Sequence, residues 1–401
     1  MTAWLSIIGI GEDGLENISP AARQAIENAT LLVGGDRHLA MLPEDGRERK
    51  TWPSPLMILV EEILARRGEN ICILATGDPM HYGIGVTFAK RLPAEELAIF
   101  PAVSAFSLAA ARLGWDLSQT EQITLHGRPL DLLITHLAPG NRILALSDSG
   151  ETPSDVAQHL QTLGLGEAGM SVLEHMGGPS EKTHHGIARD FRGKTFRDLN
   201  TIALQCPKEP AARVFSRTPG LPDDAFDHDG QITKQEIRAA TLSALAPFPG
   251  ELIWDVGAGS GSIAIEWVRC HQANRAYAIE PREDRQALIE ANCRKLGVPQ
   301  VKLIKGTAPD ALSNLSAPDA IFVGGGLSHE GVFDSCWSSL KQGGRLVANA
   351  VTIEGELRLF EIHNSFGGTL TRHNISRAEK IGGFTSWKPF RQVTQIRLVK
   401  E

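Results

Sequence analysis

Two unlike glycine-rich loops in one chain of 401 residues constrain the fold more than any other feature. IIGIGEDG covers residues 7–14, and DVGAGSGS covers residues 255–262. Each loop continues from a short apolar run that is typical of a buried strand. Because the surroundings of the two loops differ, they predict two nucleotide-type cofactor sites on two different folds. A chain that needs the same cofactor chemistry twice is expected to modify one substrate at two positions.

Composition and charge argue against several classes of protein. A net charge of -7 at pH 7 and 6% aromatic residues disfavour counterion-driven binding, so no nucleic-acid partner is expected. No apolar run reaches the roughly 18 residues of a membrane helix, and no basic segment precedes the first apolar run. We therefore expect a cytoplasmic protein without a membrane partner. The five cysteines form no Cys-x-x-Cys pair, which predicts neither a zinc site nor a disulfide framework.

The length predicts two or three cores, on the usual scale of about 100–200 residues per domain. In residues 1–208, short apolar strands alternate with helical stretches, which is the pattern of an α/β fold in two lobes. Residues 209–229 are rich in Pro, Asp and Gly without apolar periodicity and predict a linker. In residues 230–401, strands again alternate with helices, which predicts a doubly wound parallel sheet.

The second glycine loop has the local pattern of an anion-binding site. Gly257, Gly259 and Gly261 separate a strand predicted over 252–256 from a helix, so backbone amides and a helix N-terminus converge there. Glu280 ends the next predicted strand, where a carboxylate can accept hydrogen bonds from two ribose hydroxyls. By itself a Gly-x-Gly-x-Gly string leaves both a structural turn and a dinucleotide site open.

The residues around this loop indicate which kind of site it forms. Asp255 precedes the glycines, and the resulting Asp-x-Gly-x-Gly-x-Gly string resembles the first motif of class I S-adenosylmethionine-dependent methyltransferases. GTAP at 306–309 resembles a later motif of that Rossmann-like fold, while GQITKQEIRA at 230–239 and VGGG at 323–326 resemble decarboxylating precorrin methyltransferases. The resemblance implies an S-adenosylmethionine site formed by Thr233, Asp255, Gly257, Ala258, Gly259, Ser260, Gly261, Glu280, Thr307 and Ala308.

The first glycine loop is of another kind. Gly9 lies near the end of a strand predicted over residues 5–10 and Gly11 and Gly14 follow it, but the next helix is predicted only from Pro20. That helix begins too late for its N-terminus to hold a pyrophosphate, so the geometry argues against a dinucleotide site.

Three downstream motifs indicate what the first half is. LATGDPMHYGIG at 74–85, PAVSAFSLAAARL at 101–113 and LHGR at 125–128 resemble the tetrapyrrole methylases, or class III methyltransferases. LHGR resembles their precorrin C-5 methylating branch. The resemblance implies a two-lobed α/β domain that holds folded S-adenosylmethionine in a cleft, in a pocket formed by Gly9, Gly11, Thr76, Gly77, Asp78, Ser104 and Ala105. Glu12 and Ala102 replace the proline and glycine of many relatives, which leaves the conformation of these loops open.

Together the halves resemble the fused, decarboxylating precorrin methyltransferases of cobalamin biosynthesis over nearly the whole chain. The resemblance implies one S-adenosylmethionine per domain, a polycarboxylate tetrapyrrole substrate and a homo-oligomer. It implies methylation of precorrin-6B at C-5 by the first domain. It also implies methylation at C-15 and decarboxylation of the C-12 acetate by the second, giving precorrin-8. The alternative is a class I RNA methyltransferase fused to a tetrapyrrole methylase-like domain, which basic patches with interleaved aromatic residues would favour.

The sequence shows no nucleophilic triad and identifies no catalytic residue, because an electrophilic sulfonium methyl needs only to be held in line with an electron-rich carbon. His81 and His126 lie within the resembling motifs and are candidates either for moving a proton or for packing. Four cations are candidate partners for substrate carboxylates, although a solvated surface charge is the simpler interpretation of each: Arg128, Arg372, Arg377 and Lys380.

Two patterns superficially suggest a metal. His184 and His185 lack a third ligand at helical spacing, which predicts a pair of loop residues. Residues 225–236 match an EF-hand loop in part, but Ala225 occupies the first ligand position and no apolar helix precedes it. We therefore predict no metal site.

Overall fold

The computed structural model describes residues 3–401, which form two compact units. The first unit extends to Arg128 and resumes at Pro139–Arg213, and the second comprises Pro129–Ala138 and Val214–Glu401. The second unit therefore includes most of the segment that the sequence predicts as a linker. Its residues Leu221 and Phe226 are buried in the core of that unit, since removing these large apolar side chains from water is favourable.

The first lobe of the first unit is a sheet of five parallel strands in the order β3-β2-β4-β1-β5. The strands are β1 (Leu5–Ile10), β2 (Leu31–Gly34), β3 (Glu48–Thr51), β4 (Ile71–Thr76) and β5 (Leu97–Phe100). The helices of this lobe are α1 (Pro20–Asn28), α2 (Asp36–Leu39), α3 (Met57–Ala65) and α4 (Ile84–Ala89). Helix α1 begins as predicted, because the Ser19 hydroxyl accepts a hydrogen bond from the Ala22 amide at 3.2 Å.

The second lobe is a mixed sheet in the order β6-β7-β10-β8-β9, in which only β6 and β7 are parallel. The strands are β6 (Thr120–Thr124), β7 (Arg142–Leu146), β8 (Gly169–Glu174), β9 (Lys182–Ile187) and β10 (Asn200–Gln205), and the helices are α5 (Ala105–Leu113) and α6 (Thr152–Thr162). Helix α5 packs on this sheet, where Phe106 and Ala109 contact Leu144 and Leu173. The predicted two-lobed α/β organisation of the first half is confirmed.

The second unit contains a seven-stranded sheet in the order β13-β12-β11-β14-β15-β19-β16. Its strands are β11 (Leu252–Val256), β12 (Arg275–Glu280), β13 (Val301–Lys305), β14 (Ala320–Val323), β15 (Arg345–Ala350), β16 (Thr369–His373) and β19 (Val393–Val399). Between the last two lies an exposed hairpin of β17 (Ser376–Ile381) and β18 (Phe384–Pro389). The helices are α7 (Gln235–Leu245), α8 (Ser262–Cys270), α9 (Glu283–Lys295), α10 (Val332–Ser339) and α11 (Ile353–Phe366).

Strands β11 to β15 are parallel, as predicted, and helices cover both faces of the sheet. Successive side chains of β11 point to opposite faces, so Ile253 joins one apolar cluster and Trp254 joins the other. Strand β19 runs antiparallel to both of its neighbours, β15 and β16, which departs from the predicted parallel sheet. Because β19 lies between two strands and is buried on both faces, its apolar residues show no alternation from which a direction could be inferred.

Candidate active sites

The two lobes of the first unit enclose a cavity of about 640 Å³. The predicted cofactor residues that line it are Gly11, Thr76, Gly77, Asp78, Ser104 and Ala105. They come together because β1, β4 and β5 are parallel neighbours, so the loops that follow these strands lie at one edge of the sheet. The structure thus assembles in one place residues that are almost 100 positions apart.

Gly9 does not line this cavity but sets how closely its loops approach. A Cβ atom on Gly9 would lie 1.9 Å from the Gly77 carbonyl oxygen and 2.6 Å from the Ala102 amide nitrogen. Those two atoms are themselves hydrogen bonded at 3.2 Å, and the Gly77 amide donates to the Ile10 carbonyl at 2.9 Å. Only glycine leaves room for three backbone segments at this distance. Ser104 caps α5 by accepting a hydrogen bond from the Ser107 amide at 3.1 Å.

One wall of the cavity carries a cluster of charged residues that the sequence did not predict. Glu12 pairs with Arg37 and with His175 Nδ1, the latter at 2.7 Å. Arg37 Nη2 also lies 3.2 Å from Thr76 Oγ1 and 2.9 Å from His38 Nε2. Burial lowers the pKa of His38 to about 4, and the Arg37 charge adds to the effect. Glu12, at a position where many relatives have proline, could have indicated a charged group in this loop. Its partner His175 is 163 residues away, so the pair could not be identified from spacing.

A second wall combines aromatic rings with an Asp–His pair. Nδ1 of His126 lies 3.0 Å from Oδ1 of Asp148, which also accepts a hydrogen bond from the Gly127 amide at 2.9 Å. Tyr82 has a positive φ of 59° and donates its hydroxyl to the Gln122 carbonyl at 2.8 Å. The Arg128 guanidinium lies 5.7 Å from the centre of the Tyr82 ring.

In the second unit, the predicted glycine loop is a tight turn that directly follows β11. Gly257, Gly259 and Gly261 all have positive φ, and the Gly257 and Ala258 amides both donate to the Ile279 carbonyl at 3.0 Å. A Cβ atom on Gly257 would lie 3.1 Å from the Gly325 amide, which belongs to the VGGG segment after β14. The loop therefore brings two predicted motifs into contact.

Glu280 ends β12 beside this loop and is buried. One carboxylate oxygen accepts from the Gly259 amide at 2.8 Å, and the other accepts from the Arg282 amide at 3.1 Å. Since each oxygen has two lone pairs, the carboxylate keeps capacity for further donors. The Gly306 amide donates to the Glu280 carbonyl at 3.3 Å, which places the neighbouring Thr307 and Ala308 at the same edge of the sheet.

Two buried polar atoms near the loop lack a partner among residues 3–401: Asp255 Oδ1 and Ser260 Oγ. The other Asp255 oxygen accepts from the Ala264 amide at 3.0 Å. Burial raises the pKa of Asp255 to about 7, and the negative charge of Glu280 adds to the rise. A buried polar atom without a partner is costly, so these atoms fit a ligand that carries hydrogen-bond donors, such as the ammonium and hydroxyl groups of an amino-acid nucleoside.

Thr233 belongs to the segment that precedes α7, and its carbonyl accepts a hydrogen bond from Arg238. Arg238 is fully buried and pairs with Glu266 at 2.5 Å. The structure therefore attaches Thr233 to the core of the unit through an ion pair that the sequence analysis missed. An i, i+28 pair between two helices leaves no local sequence pattern.

Three of the four cations predicted as partners for substrate carboxylates lie in the second unit. Arg377 already makes a two-point contact with Glu236, at 2.9 and 2.7 Å, and Arg372 pairs with Glu356 at 3.1 Å. Lys380 is exposed on β17. Internal carboxylates therefore occupy both arginines, which makes a structural role the better interpretation of these two.

The prediction that His184 and His185 form a loop pair is wrong, because both lie on β9. There they point to opposite faces, toward Glu174 at 3.1 Å and Ser171 at 2.9 Å. Within residues 3–401 no group of three or more His, Cys, Asp or Glu side chains is arranged to hold a metal. Over the same residues, no helix combines the length and apolar character needed to cross a membrane.

Comparison with known families agrees with this architecture. Residues 5–191 match the Tetrapyrrole (Corrin/Porphyrin) Methylases, and residues 224–400 match the Precorrin methyltransferase domain. With the two folds and the two glycine loops, these matches define a chain of two methyltransferase domains. Methyltransferases of this kind generally use S-adenosylmethionine, which fits the partnerless atoms of the second site.

A relative from Sinorhizobium sp, the Precorrin-6Y C(5,15)-methyltransferase (decarboxylating), is 46% identical over 98% of this chain and 96% of its own length. The chain belongs to the family of decarboxylating precorrin-6Y C(5,15)-methyltransferases. A Salmonella typhimurium Cobalt-precorrin-7 C(5)-methyltransferase is 33% identical over 45% of this chain and 89% of its own length. A probable Cobalt-precorrin-6B C(15)-methyltransferase (decarboxylating) from Saccharolobus solfataricus is 38% identical over 34% of this chain and 71% of its own.

Proposed function

We propose that this chain methylates precorrin-6Y, also called 6B, at C-5 and C-15 and decarboxylates its C-12 acetate, giving precorrin-8. One S-adenosylmethionine binds in each unit. The main support is that the chain holds two differently built glycine loops. One lines the cavity of the first unit, and the other directly follows β11 in the second unit. The chain is 46% identical to a relative whose name states both methylations and the decarboxylation.

Two half-length relatives support a separate activity for each unit. One is named for C(5) methylation alone, and the other is named for C(15) methylation with decarboxylation. Each activity thus has a counterpart on a shorter chain. We assign C-5 to the first unit, which matches the tetrapyrrole methylases, and C-15 with decarboxylation to the second, which matches the precorrin methyltransferase domain.

Bound S-adenosylmethionine supplies an electrophilic methyl group, so the residues of each site need to bind, orient and exclude water. In the first unit, the loops containing Gly11, Gly77 and Ser104 present backbone groups to the cavity. In the second, Glu280 would hold the ribose hydroxyls and Asp255 Oδ1 would hold the ammonium group, since both carboxylates keep capacity to accept hydrogen bonds. Exclusion of water around a single substrate carboxylate would favour its departure as carbon dioxide, since a desolvated carboxylate is destabilised.

The proposal is tested with the full-length chain. Calorimetry is expected to give two equivalents of S-adenosylmethionine per chain. Turnover of precorrin-6B with labelled cofactor is expected to transfer two methyl groups and release one carbon dioxide. A single binding site, or transfer of one methyl group, would contradict the assignment of one activity to each unit. Retention of labelled RNA in a filter assay at moderate salt would instead support the RNA methyltransferase alternative.

Replacing Glu280 by glutamine is expected to weaken S-adenosylmethionine binding in the second unit by about 10- to 100-fold. A hydrogen bond to a charged group contributes roughly 1.5–3 kcal/mol, and glutamine loses one of the two acceptor oxygens. Calorimetry should then show one unchanged site and one weakened site. Glu361→Gln, at an exposed position on α11, is the matched control. Two unchanged sites in the Glu280 variant would show that this carboxylate does not hold the ribose.

The Asp255 carboxyl predicts a pH dependence of stability. Its pKa is about 7 in the folded protein against about 3.8 when free, so the folded state binds the proton more tightly. The contribution of this carboxyl to the stability of the cofactor-free second unit is therefore largest below about pH 4, falls as the pH rises to about 7, and is constant above that.

Asparagine at position 255 cannot ionise, so Asp255→Asn should remove this decline. At pH 8, the cofactor-free variant is expected to be more stable than the wild type by roughly 1–3 kcal/mol, after allowing for its new amide donor. Its affinity for S-adenosylmethionine should fall. Thermal unfolding from pH 4 to 8 measures the first effect, and parallel curves for both proteins would contradict it.

A further inference from the structure

The proposed C-5 methylation requires a proton to leave the substrate. The new carbon–carbon bond takes an electron pair from the conjugated ring, and the methyl–sulfur bond breaks with its pair remaining on sulfur. The donor, which was positively charged, becomes a neutral thioether, so one positive charge passes to the methylated ring. The ring returns to neutrality by releasing one proton, and no oxidant or reductant is involved. A base on the cavity wall would accelerate this step.

Four histidines line the cavity of the first unit: His38, His81, His126 and His175. Burial makes His38 a weak base, and its Nε2 already lies 2.9 Å from Arg37. His175 shares Glu12 with Arg37, so it belongs to an ion cluster that joins structural elements. His81 packs its ring against Phe106, with the centroids 4.5 Å apart, and no carboxylate within residues 3–401 orients it.

His126 is arranged differently. Its Nδ1 lies 3.0 Å from Asp148, which fixes the hydrogen on that nitrogen and leaves Nε2 as the basic atom. No hydrogen bond to Nε2 occurs among the described residues. The Asp148 carboxylate is itself held by the Gly127 amide at 2.9 Å. The pair exists because β6 and β7 are parallel neighbours, so the residues that follow them meet at one edge of the sheet.

The side chain of His126 is 74% exposed, so an accepted proton can pass directly to water. Arg128 follows two residues later and stacks beside Tyr82, another residue of the cavity wall. A guanidinium at this position suits one of the substrate carboxylates, which would bring the ring toward His126.

We infer that Nε2 of His126 accepts the proton that the ring releases at C-5 methylation, and that Asp148 is a positioning residue that stabilises the resulting imidazolium. This inference rests on the proposed C-5 activity of the first unit. It assigns to the chain a base that neither the family matches nor the names of the relatives state.

The test follows single-turnover methylation of precorrin-6B by the full-length chain, with C-5 and C-15 products separated. His126→Ala is expected to slow C-5 methylation by about 100-fold or more, in the range that general-base catalysis supplies. Added imidazole should restore much of the rate, which a residue with only a packing role would not show. His126→Gln, which keeps the side-chain volume, should be equally slow. Asp148→Asn should be slowed less.

Two controls separate loss of the base from loss of folding. C-15 methylation by the second unit and the thermal unfolding midpoint of the first unit should match the wild type in every variant, which verifies folding. His185→Ala, on β9 outside the cavity, is the control for loss of a histidine in the same lobe. A wild-type C-5 rate in both His126 variants, or a slow rate that imidazole leaves unchanged, would overturn the inference. If the wild type itself fails to methylate C-5, the proposed function is what fails.

Discussion

Replacing Gly9 by alanine is expected to abolish C-5 methylation while C-15 methylation and decarboxylation continue. The added Cβ would lie 1.9 Å from the Gly77 carbonyl oxygen and 2.6 Å from the Ala102 amide nitrogen. Both are backbone atoms of loops that flank the cavity, so the clash cannot be relieved by rotating a side chain. Overpacking a well-packed site costs typically 1–3 kcal/mol, and the loops must also separate and distort the pocket.

The measurement is the C-5 to C-15 product ratio of the full-length protein, together with the number of S-adenosylmethionine sites. We expect a fall of at least about 100-fold in the C-5 rate, since small displacements of a methyl donor cost that much. Gly169→Ala, on β8 of the same unit, is the matched control, because its Cβ would have no neighbour closer than Gln205 Cβ at 3.5 Å, an ordinary contact distance. A Gly9→Ala protein with two binding sites and a normal product ratio would show that the loops can move apart without loss.

Replacing Arg238 by methionine is expected to destabilise the second unit by about 3–5 kcal/mol. Arg238 is fully buried, pairs with Glu266 at 2.5 Å and donates to the Leu221 and Thr233 carbonyls. Its removal leaves the Glu266 carboxylate buried with only the Gly220 and Leu221 amides as partners. Burial already raises the pKa of Glu266, and the loss of the guanidinium would raise it further.

Thermal unfolding should show the effect as a lowered midpoint for the second unit alone. Adding Glu266→Gln to the Arg238 variant should recover part of the loss, because the neutral amide leaves no unpaired charge in the core. Arg372→Met removes an exposed ion pair with Glu356 and should change stability by less than about 1 kcal/mol. A double variant that is less stable than Arg238→Met would show that the cost comes from lost packing instead of the buried charge.

Much of the local structure could be predicted. Strands predicted over residues 5–10 and 252–256 have those bounds in the structure, and α8 begins at Ser262, directly after the second glycine loop. Apolar runs, caps and glycines act over a few residues, so they are visible in a linear pattern. The predicted cofactor residues of the first unit were found from local motifs as well, although it is the order of the strands in the sheet that brings them together.

The functional details that depend on distant partners could not be predicted. Glu12 meets His175, Asp148 meets His126, and Arg238 meets Glu266 only because strands and helices from different parts of the chain pack together. The antiparallel direction of β19 was missed as well, since the direction of a strand depends on the partners that the packed sheet gives it.

The amino-acid sequence by itself determined the two methyltransferase folds and the two glycine-rich loops, because glycine conformation, helix capping and apolar periodicity are local properties. The tertiary structure alone decided which side chains meet across each site and which polar atoms stay without a partner. Hydrogen-bond geometry and desolvation depend on atoms brought within about 3–4 Å of one another, and only the packed chain sets those distances.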